Sequence, residues 1–281
     1  MKKFLLILLA ALVLFVIYLG VTYGPMLKKF LAYSVEKVDE NMTICWGYGG
    51  NSVILKSDDG QKILIVDTKM GGGAKRLEKI VTAMAPDAEV TIANTHFHSD
   101  HAGGNKRFPD AQIIAGAYEA DQWMKRSGMN RMPDVTLPAG EEHILEIGNE
   151  IVRIQNVGRG HSWHDIVVYF QNRKLLVTGD LFFHTWHPVF IEVDGGDMVS
   201  WMRDLDYLLE TYEISTVVPG HGPKTDRQGL EFFLDYFVSI RDAIGDETRL
   251  AELKAKYKDW LIMPGMSGFD KTVTNATKSV E

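Results

Sequence analysis

The chain has 281 residues, of which 46% are hydrophobic and 24% charged, and its formal net charge is −7. This composition supports a sizeable core and excludes a disordered, collagen-like or repeat-built chain. The acidic balance and the lack of a Lys/Arg cluster argue against a nucleic-acid partner.

Lys2 and Lys3 precede an uncharged apolar run over residues 4–23. About 20 residues at ~1.5 Å rise each span the ~30 Å hydrocarbon core of a bilayer. A cleaved signal peptide has a shorter apolar core, and Gly20-Val21-Thr22-Tyr23-Gly24 is a poor cleavage site. Residues 1–24 are therefore expected to be a transmembrane signal anchor, with a cleaved signal peptide as the alternative. Lysines flank both sides of the run, so their balance does not orient it. The signal-like N-terminus places the rest of the chain on the extracytoplasmic side, which is the periplasm in a bacterium; cleavage would make it a secreted protein. Residues 25–41 read as a connector that starts where Pro25 stops the helix.

From residue 42 the pattern becomes β-rich. Residues 51–55 and 62–66 are β-branched runs around the turn signal Asp58-Asp59-Gly60. Gly71-Gly72-Gly73 opens a helical segment with Leu77, Ile80, Val81 and Met84 on one face. Residues 89–93 are a short strand, 112–114 another, and 118–126 a helix. Residues 143–157 alternate as strands around Gly148-Asn149, and 166–170 with 174–177 form a hairpin. A helix over 197–212, a strand over 216–218 and helices over 227–245 and 247–257 follow. Strands then helices, given twice, predict two packed sheets with helices outside, in a domain spanning 42–260. The tail over 261–281 carries no readable motif. The one cysteine, Cys45, has no partner for an internal disulfide and reads as a small buried hydrophobe.

The strongest signal is Thr95-His96-Phe97-His98-Ser99-Asp100-His101, followed by Ala102-Gly103-Gly104. On extended backbone His96 and His98 point to the same side, and Asp100 and His101 are expected in a loop after it. Imidazole and carboxylate together suit zinc, and also iron or manganese. Four such groups exceed the needs of one catalytic metal, so two divalent ions are expected. Three further candidates each follow a strand: His161, Asp180 and His221. A preceding glycine permits the sharp turn that presents a side chain at a sheet rim.

His96, His98, Asp100, His101, His161, Asp180 and His221, in that order, resemble the ligand set of the metallo-β-lactamase fold superfamily over residues 42–225. The resemblance implies an α+β fold, a four-layer αββα sandwich with the metals at one edge of the paired sheets. It further implies that His96, His98 and His161 bind one metal, that Asp100, His101 and His221 bind the second, and that Asp180 bridges them. Asp67 matches a supporting position. The implied activity is hydrolysis of a small-molecule ester, lactone, thioester or lactam by metal-activated hydroxide, with Asp100 orienting the nucleophile or carrying a proton. Asp180 in place of a late cysteine ligand is more like the glyoxalase II and lactonase-type branches than like one β-lactamase subgroup. A β-lactamase proper and a mononuclear iron persulfide dioxygenase are the alternatives. The segment after Asp180, with His184, Trp186 and His187, is a candidate pocket mouth. No feature indicates an oligomeric state.

Overall fold

The computed structural model describes residues 31–263, 266 and 268–280, together with residues 9, 12–18, 20, 21, 23, 24 and 28. The anchor expected over 4–23 lies in good part outside these. Among the described residues, no helix is long and apolar enough to cross a membrane.

Two sheets carry the fold. The first has seven strands in sequence order: β1 (Tyr33–Lys37), β2 (Met42–Gly47), β3 (Ser52–Lys56), β4 (Lys62–Val66), β5 (Glu89–Ala93), β6 (Gln112–Gly116) and β7 (Val135–Leu137). The pairs from β1 to β4 are antiparallel, and those from β4 to β7 are parallel. The parallel pairs need crossovers. Helix α1 (Gly71–Met84) supplies the first; one-turn helix α2 (Ser99–Ala102) lies in the second and α3 (Ala120–Ser127) in the third. The second sheet has five strands. These are β8 (Glu142–Ile147), β9 (Glu150–Gly158), β10 (Asp165–Phe170), β11 (Leu175–Phe183) and β12 (Thr216–His221), in the order β12-β11-β10-β9-β8. Helix α4 (Met198–Thr211) makes its parallel crossover from β11 to β12. Helices α5 (Arg227–Arg241), α6 (Glu247–Lys256) and α7 (Gly268–Val280) follow.

Three apolar clusters define four layers. Ile44, Val53 and Leu64 of the first sheet meet Val152, Ile166 and Val177 of the second. The other face of the first sheet, with Ile63 and Ile65, packs on Leu77 and Val81 of α1 and Trp123 of α3. The other face of the second sheet, with Val167 and Leu181, packs on Trp201 and Leu205 of α4 and Phe233 and Phe237 of α5. Every residue of β10 and β11 is buried, as expected for strands covered on both faces. The αββα sandwich expected from the sequence is present.

Three segments differ from the sequence reading. Residues 33–37, read as connector, form β1, paired with β2 from Tyr33↔Gly47 to Lys37↔Thr43. Nothing local predicts this, because an edge strand with Val35 half exposed lacks a clean alternation. The short strand β7 was hidden by its length. The tail over 261–281, which carries no readable motif, contains α7, where Phe269 and Ala276 join the helix-side core.

Asp204 of α4 sits behind the second sheet beside Asp165, the first residue of β10. Both are buried, and both carboxyls are pushed up to about 7, mainly by burial. The protonated form of Asp204 is thus favoured in the fold relative to its ordinary value of 3.8. Its contribution is complete below about pH 4 and is lost as pH rises through about 7. Asp204→Asn removes that loss. Thermal melts of the metal-loaded protein should show the variant gaining on wild type between pH 5 and pH 8, by on the order of 2–4 kcal/mol. Parallel melting curves across that range would sink this account.

Candidate metal centre

The site lies where both sheets end. Strands β4 and β5 run parallel and finish at Val66 and Ala93, so Asp67 and the segment 94–98 emerge side by side at one rim. The second sheet is tied to that rim by hydrogen bonds. Ile166 N donates to Thr95 O at 2.7 Å, and Asn51 N donates to Gly220 O at 2.8 Å. Asn51 Nδ2 also donates to the carbonyls of Pro219 and Gly222, both at 2.9 Å. Loop 158–164, which carries His161, is held from within. Asp165 accepts from Gly160 N, Ser162 N and Ser162 Oγ, and the Tyr118 hydroxyl lies 2.8 Å from Ser162 Oγ.

The sequence reading placed Asp100 and His101 in a loop. They stand in α2 instead, where Ala102 N and Gly103 N donate to His98 O and Ser99 O, both at 2.9 Å. One helical turn points Asp100 and His101 into the space that His96 and His98 face. Asp180 was expected at a strand end. It lies inside β11, just past a register shift at Gly179, and this irregularity turns its carboxylate to the rim. His221 is the last residue of β12.

All seven sequence-predicted ligands converge. His96, His98, His161 and Asp180 form one group and Asp100, His101 and His221 a second; within each, one ligand atom per residue lies within 4.8 Å of the others. Asp180 joins the groups. Its Oδ2 is 3.8 Å from His96 Nε2 and 3.5 Å from His161 Nε2. Its Oδ1 is 3.1 Å from His101 Nε2 and 3.4 Å from His221 Nε2. Asp100 Oδ2 lies 3.2 Å from His221 Nε2. A Cβ on Gly220 would collide with Asp180 Oδ1, and one on Gly50 with the His101 ring, so the backbone touches the ligands directly at both glycines.

The outward ring nitrogens of four histidines are engaged. His101 Nδ1 is 2.7 Å from Asp67 Oδ2, and Asp67 is itself held by Thr95 N and Thr95 Oγ1 at 2.8 and 2.7 Å. His96 Nδ1 faces Thr95 Oγ1 at 3.2 Å, and His161 Nδ1 faces Val189 O at 3.1 Å. His98 turns the other way. Its Nδ1 is 3.0 Å from His161 Nε2, and its Nε2 is 3.0 Å from Asp194 Oδ2. Arg126 holds Asp194 at 2.7 Å. Such outward hydrogen bonds fix the tautomer and aim the inner nitrogen at a metal.

The electrostatics fit a cation. Burial and neighbouring imidazoles hold His96 well below its ordinary pKa, despite the pull of Asp180, and lower His161 to about 3. Burial also opposes charge on His101 and His221, but Asp180 and Asp100, with Asp67 at His101, overcome it. His101 is raised well above the ordinary value and His221 to about 9. The buried Nε2 of His96 makes no hydrogen bond. A buried imidazole nitrogen left this way, facing a carboxylate held ionised, suits a metal ion, whose binding would displace the protons of the second group.

Several residues of the site were invisible to sequence reasoning. Asp194 lies in a turn before Gly195-Gly196 and reads only as a loop residue. Lys69 is fully buried with φ of 60°, and its ammonium donates to Gly47 O and Gly50 O at 2.6 Å, pinning the loop against His101. Of the expected pocket-mouth histidines, His187 is instead buried among aromatics, with Nδ1 3.0 Å from the Tyr236 hydroxyl. His184 faces Pro223 O at 2.8 Å. Trp186 borders a cavity beside His221.

Asp194→Ala should weaken metal retention about 10–100-fold in a chelator competition, because His98 loses its orienting carboxylate. Asp180→Ala should leave fewer than two metals per chain by elemental analysis. Wild-type metal content and chelator resistance in both variants would overturn the two-group arrangement.

Comparison with known proteins agrees with this geometry. The family profile described as Metallo-beta-lactamase superfamily matches residues 45–221. A hydroxyacylglutathione hydrolase of Pelagibacter ubique is 33% identical over 95 residues, covering 33% of this chain and 36% of that protein. The match therefore spans about a third of that relative. A metallo-beta-lactamase type 2 of Bacillus cereus is 26% identical over 187 residues, covering 66% of this chain and 72% of that protein. Among solved structures, a metallo-beta-lactamase from Pontibacter korlensis superposes with a TM-score of 0.63 at 21% identity, covering 73% of this chain and 98% of that one, which shows a shared fold. With the family profile running from Cys45 to His221 and the histidine and aspartate ligands gathered at its sheet rim, this chain belongs to the metallo-beta-lactamase superfamily.

Proposed function

We propose that this protein is a hydrolase with two divalent metal ions, zinc first among the candidates, that cleaves a carbonyl substrate of the ester, lactone, thioester or lactam class. One observation carries the reading: the two oxygens of Asp180 face two different ligand groups. A single carboxylate so placed suits two cations better than one. Bound there, the metal pair supplies Lewis acidity and makes hydroxide available at neutral pH.

The chain's own residues do the rest. His96, His98 and His161 would hold the first metal; Asp100, His101 and His221 the second. Asp67, Thr95, Val189 and Asp194 keep the rings aimed, so little reorganisation accompanies reaction. Asp100 lines the open cavity of about 650 Å³ over the site. Its Oδ2 faces His221, and in this reading its carboxylate takes the proton of the attacking water and passes it to the leaving group. Val189, Ile191 and Met263 line the same cavity and give it apolar walls. The chain provides no need for a serine or cysteine nucleophile, and its one cysteine is buried away from the cavity.

Partial likeness to a hydroxyacylglutathione hydrolase and a metallo-beta-lactamase supports thioester and lactam members of the panel below. For its place in the cell, the apolar run over 4–23 supports a membrane-tethered enzyme with an extracytoplasmic domain.

Elemental analysis of the purified full chain, with an ester, lactone, thioester and β-lactam panel, tests the reading. About two zinc ions per chain and turnover of one class, abolished by a chelator and restored by zinc, is the expected result. One iron per chain with no hydrolysis would instead favour the persulfide dioxygenase alternative.

A further inference from the structure

A second cavity, of about 530 Å³, opens on the far side of His221 from the one described above. Tyr33, Trp46, Trp186 and Leu261 form its apolar walls, and Gly47, Gly49 and Gly222 contribute bare backbone to its lining. His221 lines both cavities, so the second one adjoins the ligand cluster at that residue.

The two cavities differ in charge. At the second, the charged residues are Glu36 and Lys224, and they are paired with each other across its rim. Glu36 also accepts from Trp46 Nε1 at 3.0 Å, which fixes the indole. Apart from His221, its wall thus offers aromatic surface and no net charge. The first cavity carries Lys125 and Arg126 beside the ligands, and Arg126 is paired with Asp194. An apolar group is better accommodated in the second cavity than in the first, where it would strip water from Lys125.

We propose that the cleft between Trp46 and Trp186 is the acyl pocket of this enzyme, and that the substrate carries an apolar acyl chain or aryl-acyl group reaching past His221. This rests on the hydrolase reading and adds the chemical class of the acyl half. The cleft depends on β1. Ser34 is exposed and stands opposite Trp46 across the β1–β2 pair, so its position borders the pocket without belonging to the core. A tryptophan at position 34 would fill the cleft from its rim, on an edge strand where aromatic residues are well tolerated.

The test uses the zinc-loaded full chain, wild type and Ser34→Trp, with p-nitrophenyl acetate, butyrate and octanoate. In the wild type, kcat/KM should rise with chain length, by up to about fourfold per buried methylene. In Ser34→Trp the octanoate-to-acetate ratio should collapse toward one while circular dichroism and the melting temperature stay near wild type. A flat chain-length series in an active wild type, or an unchanged ratio in a folded Ser34→Trp, would overturn the proposal. If no ester, lactone, thioester or lactam is turned over, the hydrolase reading fails, and calorimetric titration with octanoate and butanoate still decides the pocket. Tighter octanoate binding that is lost in Ser34→Trp supports an apolar pocket; equal or absent binding of the two overturns it.

Discussion

The carboxylate of Asp180, shared between two clusters of imidazoles, is the interaction on which the rest of this structure depends. Five histidines, with Asp100 and Asp180, are drawn into one largely buried cluster, at a large cost in desolvation. Without a cation, the cluster balances itself by holding protons on His101 and His221 while His96 and His161 stay neutral. A divalent metal ion held by these residues would supply positive charge to the cluster. Metal binding and the integrity of this rim are therefore expected to be coupled.

Placing that carboxylate requires the whole sandwich. Asp180 comes from the second sheet, and His96, His98, Asp100 and His101 come from the end of the first. The sheets must be locked in register for the groups to meet. The Ile166–Thr95 and Asn51–Gly220 hydrogen bonds do this at the rim, above the apolar layer of Ile44, Val53, Val152 and Ile166. The glycines at 50 and 220 let backbone pass within contact of the ligands. Lys69 is the counterpart on the loop side: a buried ammonium that clamps two carbonyls against His101. Each device restricts motion, which is what a preorganised metal site needs.

The cavities that adjoin the rim draw on other parts of the chain. Beside the candidate ligands, residues from β1, α3 and the stretch before α7 line them. Edge strand and tail can thus vary while the ligand cluster stays fixed.

Residue order along the chain picked out the seven candidate ligands that the fold brings together. His96, His98, Asp100, His101, His161, Asp180 and His221 were all legible as candidates, because a metal site demands particular donor types and these types cluster along the chain. The layered α+β architecture was legible too, since period-2 and period-3.6 patterns report which face of each element is buried. Tertiary structure alone decided what lies at a distance. It made residues 33–37 an edge strand and 268–280 a packed helix, because their partners are supplied by β2 and α5 rather than by local propensity. It brought Asp194 to His98 across 96 residues of sequence, and it buried Lys69 and His187, whose types suggest solvent. It also decided that Trp186 faces a cleft while His187 does not. Side-chain environment is a property of contacts between elements, and those contacts are fixed only when the two sheets pack.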